Sequence, residues 1–130
     1  MKEQQSMSHL KVKKVISKDA LCQMVELQEK LMERLGIKFK KMSLTDREKE
    51  TKELILAMQA ELIELLNWTN WKNWKKTKKK VDHMEIRFEI VDLFHFLIEI
   101  AVVWGMSADD IYHHFLAKNK ENHVRQDKGY

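Results

Sequence analysis

Apolar residues recur every three to four positions in several separate stretches of the chain, which is the spacing of a helix face. The first stretch begins near Ser17 or Lys18 and ends at Gly36. The second begins near Thr45, where Thr45-Asp-Arg-Glu48 has the form of a capping box, and ends near Asn67. The pattern therefore predicts a helix over each of these stretches.

A third stretch runs from about His83 to Trp104 and is apolar on nearly every side. Such a helix lies in the middle of a bundle or at a subunit interface. Ser107-Ala-Asp-Asp110 then predicts the capped start of a fourth helix, which runs to about His123. Because the third helix needs cover on all sides, we expect a homo-oligomer, at least a dimer.

Composition agrees with helices, since the 130 residues include no Pro and only three Gly. The length fits one domain, so residues 1–130 are expected to form a single all-α bundle of four to five helices. Residues 68–82 lose the apolar periodicity and predict a basic, aromatic loop. Residues 1–16 are interpreted as a partly ordered N-terminal segment and residues 126–130 as a tail.

The cysteine and charge content of the chain indicate its cellular location and the kinds of partner it could bind. The single cysteine, Cys22, excludes an intramolecular disulfide and a Cys-based zinc site, and favours a reducing, cytoplasmic location. The first nine residues are too polar for a signal sequence, and acidic residues interrupt the longest apolar run, so no membrane span is predicted. The net charge of +4 is modest, and no stable nucleic-acid partner is expected.

Much of the positive charge is concentrated between the second and third helices. The lysines of this run are Lys72, Lys75, Lys76, Lys78, Lys79 and Lys80. They indicate a local capacity for binding anions, although an exposed, solvated loop without that function would have the same lysine-rich sequence.

Two acidic pairs, Glu61-Leu-Ile-Glu64 and Glu89-Ile-Val-Asp92, lie inside apolar helical segments. Carboxylates three residues apart point to one side of a helix, and burying them without a compensating cation is costly. One pair by itself would more often lie at a solvated edge or contact lysines. Two pairs on neighbouring helices instead predict a cage of oxygen ligands, of the kind that Mg²⁺ prefers.

Two longer motifs add a family resemblance. The C-terminal run Lys118-Asn119-Lys-Glu-Asn122-His123-Val-Arg125-Gln126-Asp-Lys-Gly129-Tyr130 and the segment Asp92-Leu-Phe-His95-Phe96-Leu97 are similar to motifs of the dimeric all-α dUTPases. That family belongs to the all-α nucleoside triphosphate pyrophosphatases. The resemblance implies hydrolysis of dUTP to dUMP and pyrophosphate by attack of a metal-activated water.

The resemblance also implies roles for individual residues. Glu61, Glu64, Glu89 and Asp92 match the Mg²⁺ ligands, and one glutamate of the first pair would orient the attacking water as a catalytic residue. Phosphate-binding positions are matched by Lys118, Asn122, Arg125 and Lys72. The first three stand at i, i+4 and i+7, so a helix presents them on one side. Spacing alone would fit an ordinary basic helix end equally well.

Candidate base and sugar contacts come from three segments. His95 and Phe96 match family positions near the nucleoside, although on an apolar helix both would more often be core residues. Trp74, within Trp71-Lys72-Asn73-Trp74, is the candidate for stacking on the base. Gln28, within Leu27-Gln28-Glu-Lys-Leu31-Met32, could hydrogen-bond to the edge of uracil. Met32 stands where the family often has Asn, which leaves base specificity open.

Other functions remain open at this point. A broader house-cleaning pyrophosphatase would use the same site with less discrimination between bases. A single-stranded nucleic-acid-binding module could combine Trp68, Trp71 and Trp74 with the neighbouring lysines. A non-catalytic helical oligomerisation domain would retain the fold without the metal.

Overall fold

The computed structural model describes residues 6–7, 9–12 and 19–130 and shows an all-α protein. Its helices are α1 Ala20–Arg34, α2 Leu44–Asn67, α3 His83–Val103 and α4 Ala108–Asp127, and a short 3₁₀ turn, Phe39–Lys41, links α1 to α2. No strand occurs in these described ranges. The predicted all-α class is confirmed. The predicted start of α1 near Ser17 or Lys18, and most of the segment 1–16, lie outside the described residues.

The start of α2 differs from the prediction. Ser43 is the N-cap, with an extended backbone, and its Oγ accepts a hydrogen bond of 3.1 Å from the backbone N–H of Asp46. The capping box at Thr45 was therefore a wrong prediction, because Thr45 already lies inside the helix. Ser43 satisfies one of the donors that a helix N-terminus would otherwise leave without a partner.

Helix α4 begins as predicted and ends later. Ser107 and Asp110 form a reciprocal capping box, with hydrogen bonds of 3.1 Å and 2.9 Å. The helix continues past the predicted end near His123 to Asp127, so the segment 126–130 is not wholly a tail. Gly129, at φ 78°, supplies the left-handed conformation that ends the helix.

The core lies where α3 packs against α1 and the 3₁₀ turn. Its buried members are Val25, Met32, Phe39, Ile98, Val102 and Val103. Each such side chain contributes about 1.5–3 kcal/mol when fully buried, so these residues fix the position of α3 relative to α1. Along its length α3 also packs extensively against α2, and this contact places the two acidic pairs opposite one another.

Helix α4 leaves this bundle at its first turn. Ala108 and Ile111 pack on the core, and α4 contacts α1, but the chain bends by 105° between α3 and α4. Beyond the first turn the side chains are exposed except for the half-buried Val124 and Arg125; Phe115, for example, is 67% exposed. Helix α4 therefore projects a largely uncovered surface.

Within the described ranges no single helix is long and apolar enough to cross a membrane, although α3 and α4 meet the criterion when taken as a bent pair.

Candidate active site

Carboxylates from α2 and α3 meet between the two helices. One oxygen from each of Glu61, Glu89 and Asp92 lies within 4.8 Å of the others. Glu89 is buried, while Glu61 and Asp92 are half-buried. Glu64 lies near enough to affect the ionisation of Glu61 and Asp92, but it is outside this group of three. The two predicted acidic pairs thus face each other, and three of their four members form the acidic cluster Glu61, Glu89 and Asp92.

Electrostatic repulsion within the acidic cluster opposes full ionisation. Burial, the charge of Glu64 and a hydrogen bond with Glu89 raise the pKa of Glu61 to about 7. Burial, followed by the charge of Glu89, raises the pKa of Asp92 above its usual value, and His95 partly offsets this. A bound cation would favour the ionised forms of both carboxylates.

The chemistry of the acidic cluster fits Mg²⁺. Its ligand atoms are carboxylate oxygens alone, which are the ligands that hard divalent cations prefer. The members come from two helices held by a common packing surface, so their separation is set by the fold. Half-buried Glu61 and Asp92 leave the cluster accessible to substrate oxygens, and Mg²⁺ usually shares its coordination with phosphates.

Trp68 ties the start of the 68–82 loop to the acidic cluster. It is the C-terminal cap residue of α2, and its indole Nε1–H donates a hydrogen bond of 3.0 Å to Oε1 of Glu89. This bond gives one oxygen of a buried carboxylate a donor and fixes its orientation. It also fixes where the loop leaves α2.

A set of three hydrogen-bonded polar side chains connects α1 to α3. The Gln28 side chain is buried, and its Nε2 donates a hydrogen bond of 3.4 Å to Oε2 of buried Glu99. Because the amide N–H₂ faces that carboxylate, the amide oxygen faces His95, whose Nδ1 lies 2.7 Å away. An amide oxygen can only accept, so Nδ1 of His95 carries the proton. Burial, and then the charge of Glu50, raise the pKa of Glu99.

The dUTPase family matches residues 20–104 and residues 97–130. The chain belongs to the dUTPase family. The match includes the acidic cluster, the Gln28, His95 and Glu99 group, and the C-terminal motif.

Individual relatives of this dUTPase-family chain match shorter stretches. A dCTP pyrophosphatase of Enterobacteria phage T4 is 49% identical over 49 residues, which are 38% of this chain and 29% of the relative. A dCTP pyrophosphatase of Enterobacteria phage LZ5 is 47% identical over 49 residues, 38% of this chain and 28% of the relative. A DNA replication protein of phage T4 is 46% identical over 39 residues, 30% of this chain and 10% of that protein. The matches thus span less than a third of these relatives. No solved structure gives a significant match.

Three predicted phosphate-binding residues lie away from the acidic cluster in the dUTPase-family chain. Lys118, Asn122 and Arg125 are on α4, which packs chiefly against α1, and none of the three is among the charges that act on Glu61 or Asp92. Arg125 pairs with Glu121 at 3.3 Å and lies over the Tyr130 ring at 5.3 Å. These three residues share one helix face, as predicted, but the single chain does not bring them to the carboxylates.

The remaining predicted residues are divided between the loop and the interior. Trp74 is 72% exposed and lies edge-to-face with Trp71, with ring centroids 5.7 Å apart, while Lys72 Nζ lies 5.5 Å from the centroid of the Trp71 ring. Phe96 is half-buried on α3. Met32 is fully buried in the core. Met32 therefore packs inside the bundle, where an Asn would need polar partners.

Sequence reasoning assigned no role in the pyrophosphatase site to two residues that contact predicted site residues. Trp68 contacts Glu89, and Glu99 contacts Gln28. Glu99 left a signal in the sequence, since it lies on the same stripe of α3 as Glu89 and Asp92. No sequence pattern indicated the role of Trp68, because the partner of its indole depends on how α2 packs on α3.

Proposed function

We propose that the protein is a Mg²⁺-dependent pyrophosphohydrolase of pyrimidine deoxyribonucleoside triphosphates, with dUTP or dCTP as substrate. In this reaction water oxygen bonds to the α-phosphorus, the bond between the α-phosphorus and the bridging oxygen breaks, and pyrophosphate leaves. Family membership supports dUTP as the substrate, and the phage relatives that are named dCTP pyrophosphatases support dCTP.

The acidic cluster is the observation that carries this proposal. Glu61, Glu89 and Asp92 would hold Mg²⁺, with Glu64 beside them. When bound, the ion would offset the negative charge of the phosphate chain. Glu61 or Glu64 would accept a hydrogen bond from the attacking water and so orient it. Trp68 keeps the Glu89 carboxylate in position through its indole N–H.

The nucleoside end of the substrate is assigned to His95 and its neighbours. Since Nδ1 of His95 donates to Gln28, Nε2 of the exposed ring is the acceptor in the uncharged tautomer. Uracil presents a donor at N3 and cytosine presents one at its amino group, so either base could pair with this nitrogen. Gln28 and Glu99 act through His95 by fixing its orientation. Phe96 and Trp74 supply aromatic surface for the base and sugar.

An oligomer would complete the site. Helix α3 exposes apolar side chains, including Phe94 at 50% and Leu97 at 51%, and α4 exposes Phe115 at 67%. Covering these residues would favour association of at least two subunits. In such an assembly, α4 of one subunit would bring Lys118, Asn122 and Arg125 to the acidic cluster of its partner.

Pyrophosphate release across a panel of deoxyribo- and ribonucleoside triphosphates tests the function. With Mg²⁺ we expect turnover of a pyrimidine deoxynucleotide, and a loss in Glu61→Gln on the order of a hundredfold or more in kcat/KM. Glu53→Gln is the matched control, because Glu53 is an exposed residue of the same helix outside the acidic cluster. Circular dichroism checks that both variants remain helical.

Three outcomes would change the assignment. Equal activity in Glu61→Gln and Glu53→Gln would overturn the acidic cluster as a metal site. A flat profile over all bases would favour the broader house-cleaning pyrophosphatase. Strongly salt-dependent binding of single-stranded DNA without turnover would favour the nucleic-acid-binding module.

A further inference from the structure

Asn70 joins the two sides of the loop between α2 and α3. Its side-chain oxygen accepts from the backbone N–H of Lys79 at 3.0 Å, and its Nδ2 donates to the backbone carbonyl of Lys79 at 2.8 Å. One amide side chain thus bonds to both backbone polar groups of a residue nine positions later, as an antiparallel strand would. We call this pair of bonds the Asn70 clasp. Asn70 is half-buried just beyond the end of α2, so the clasp fixes Lys79 next to that helix.

The clasp places the side chain of Lys79 against Trp68. Nζ of Lys79 donates to the backbone carbonyl of Asn67, the last residue of α2, and lies 5.7 Å from the centroid of the Trp68 ring. An ammonium within about 6 Å of an indole centroid is attracted by the face of the ring. Lys79 is therefore held by its backbone at Asn70 and by its ammonium at the end of α2, with the Trp68 ring beneath that ammonium.

Trp68 also contacts the acidic cluster. Its indole N–H donates to Oε1 of Glu89, which is buried. Because a carboxylate has two oxygens, Oε1 can accept from the indole while Oε2 ligates a cation. Partners of this kind orient metal ligands, and their loss typically lowers metal affinity or activity by about 10- to 100-fold. A continuous series of contacts thus runs from Asn70 through Lys79 and Trp68 to Glu89.

The orientation of the Trp68 indole depends on more than its packing in the bundle. Trp68 is half-buried, so the interior does not enclose its ring fully. Its bond to Glu89 joins residues 21 positions apart and requires the N–H to point at the carboxylate. Lys79 contacts the face of the ring and restricts its rotation, and the clasp restricts Lys79. Asn70, which bonds to Lys79 and not to a carboxylate, can therefore affect the acidic cluster.

We propose that Asn70 is a positioning residue for the metal site, and that closing the clasp and orienting Glu89 for Mg²⁺ are coupled. Binding of a metal at the acidic cluster rests on the proposed function, whereas the coupling rests on the contacts of Lys79 and Trp68. Such coupling is reciprocal, so the factor by which a closed clasp raises metal affinity is also the factor by which bound metal favours closure. Metal binding should therefore make the loop more ordered.

Binding of Mn²⁺ to the nucleotide-free protein, followed by the electron paramagnetic resonance of the free ion, tests the proposal. Mn²⁺ prefers the same oxygen ligands as Mg²⁺. Trp68→Phe keeps an aromatic ring and loses the N–H donor, so we expect binding to weaken by at least about tenfold. Asn70→Ala should weaken it by about three- to tenfold, and the control Asn73→Ala by less than about twofold. Asn73 is an exposed residue of the same loop outside the clasp.

The double variant Trp68→Phe with Asn70→Ala separates coupled effects from independent ones. If Asn70 acts through Trp68, adding Asn70→Ala to Trp68→Phe weakens binding by less than about a further twofold, because the N–H bond is already lost. Multiplication of the two single losses in the double variant would overturn the proposal, and so would equal affinities in Asn70→Ala and Asn73→Ala. Circular dichroism checks that the variants remain helical.

Limited proteolysis of the wild-type protein tests the coupling in the reverse direction. Trypsin cleaves after lysine, and residues 72–80 include six exposed lysines. With saturating Mn²⁺ we expect cleavage in this loop to slow by about three- to tenfold, the same factor by which Asn70→Ala weakens binding. The slowing should persist in Asn73→Ala and disappear in Asn70→Ala. Equal cleavage rates of the wild-type protein with and without Mn²⁺ would overturn the proposal.

Glu61→Gln separates a failure of this proposal from a failure of the proposed function. If Glu61→Gln bound Mn²⁺ as tightly as the wild-type protein does, the acidic cluster would not be the metal site and both proposals would be wrong. If Glu61→Gln lost the binding and Asn70→Ala kept it unchanged, the metal site would stand and only the role of Asn70 would be overturned.

Discussion

Glu61 is the carboxylate whose protonation would be most closely linked to the proposed binding of Mg²⁺. Its pKa is raised to about 7, so below that pH the metal-free site holds a proton that Mg²⁺ must displace. We predict that Mg²⁺ affinity falls by about tenfold for each pH unit below about 7 and levels off above it. Calorimetry at about pH 6 and about pH 8 measures this difference, together with the release of a proton at the lower pH.

The same raised pKa determines how the stability of the metal-free protein changes with pH. From the ordinary value of 4.5 to about 7, folded Glu61 keeps a proton that the unfolded chain has released. Its contribution to the free energy of unfolding should therefore decrease as pH rises through this window. Glu61→Gln should remove both pH dependences and Glu53→Gln neither. Unchanged pH dependence in Glu61→Gln would contradict the assignment.

Glu99 is a positioning residue in the proposed site. Its carboxylate fixes the Gln28 amide, and that amide fixes the protonated nitrogen of His95. In Glu99→Gln the amide of Gln28 can turn, since both of its groups then find partners. We predict that KM for the pyrimidine nucleotide rises by about three- to tenfold, with kcat changed by less than about twofold.

Steady-state kinetics with dUTP and dCTP measure KM and kcat of Glu99→Gln separately. Glu50→Gln is the control, because the charge of Glu50 acts on Glu99 without contacting Gln28. If Glu99→Gln lowered kcat as much as Glu61→Gln does, Glu99 would belong with the catalytic groups. If KM stayed unchanged, the amide would have no role in binding.

The site residues differ in how far the sequence could locate them. Glu61 with Glu64 and Glu89 with Asp92 are each three positions apart, so helix geometry alone places each pair on one face. Gln28 and His95 are 67 positions apart, and Gln28 and Glu99 are 71 apart. Such contacts depend on how α1 packs on α3, and no local pattern specifies that packing.

At the scale of elements, the cap of α2 provides a direct test of helix stability. Ser43 Oγ accepts from the Asp46 N–H, whereas Thr45 lies within the helix. We predict that Ser43→Ala lowers the free energy of unfolding by about 1 kcal/mol and Thr45→Ala by less than half of that. Urea denaturation of the two variants measures the difference. Equal losses would mean that the cap contributes little.

This cap also shows why helix boundaries are harder to predict than helices. Ser43 and Thr45 each have an acidic residue three positions later, Asp46 and Glu48, so both fit the same start signal. The apolar periodicity of α2 and the long, nearly continuous apolar stretch of α3 each cover many turns and identified both helices. The 3₁₀ turn that buries Phe39 has only three residues, too few for a periodic pattern.

At the scale of the whole molecule, the single chain leaves apolar surface exposed and places the proposed phosphate-binding trio on a helix that projects from the bundle. The faces of α3 around Phe94 and Leu97, and of α4 around Phe115, are exposed. The continuous apolarity of α3 gave the sequence-based expectation of an oligomer. Which subunit supplies Lys118, Asn122 and Arg125 depends on the direction of α4, and that direction follows from the 105° bend. Sequence patterns describe faces of single helices and do not specify this bend.

Subunit complementation tests whether each site is shared between two chains. Glu61→Gln lacks a carboxylate of the acidic cluster, and Arg125→Gln lacks a donor of α4, so each variant alone should lose most of its activity. In a dimer of the two, one site carries both changes and the other carries neither. An equal mixture that exchanges subunits freely should therefore recover roughly a quarter of wild-type activity. Mixing Glu61→Gln with Glu64→Gln is the matched control, because both changes lie on α2 and no intact site can form. Absence of recovery, or sedimentation of the active protein as a monomer, would place Arg125 at the site of its own chain or outside the reaction.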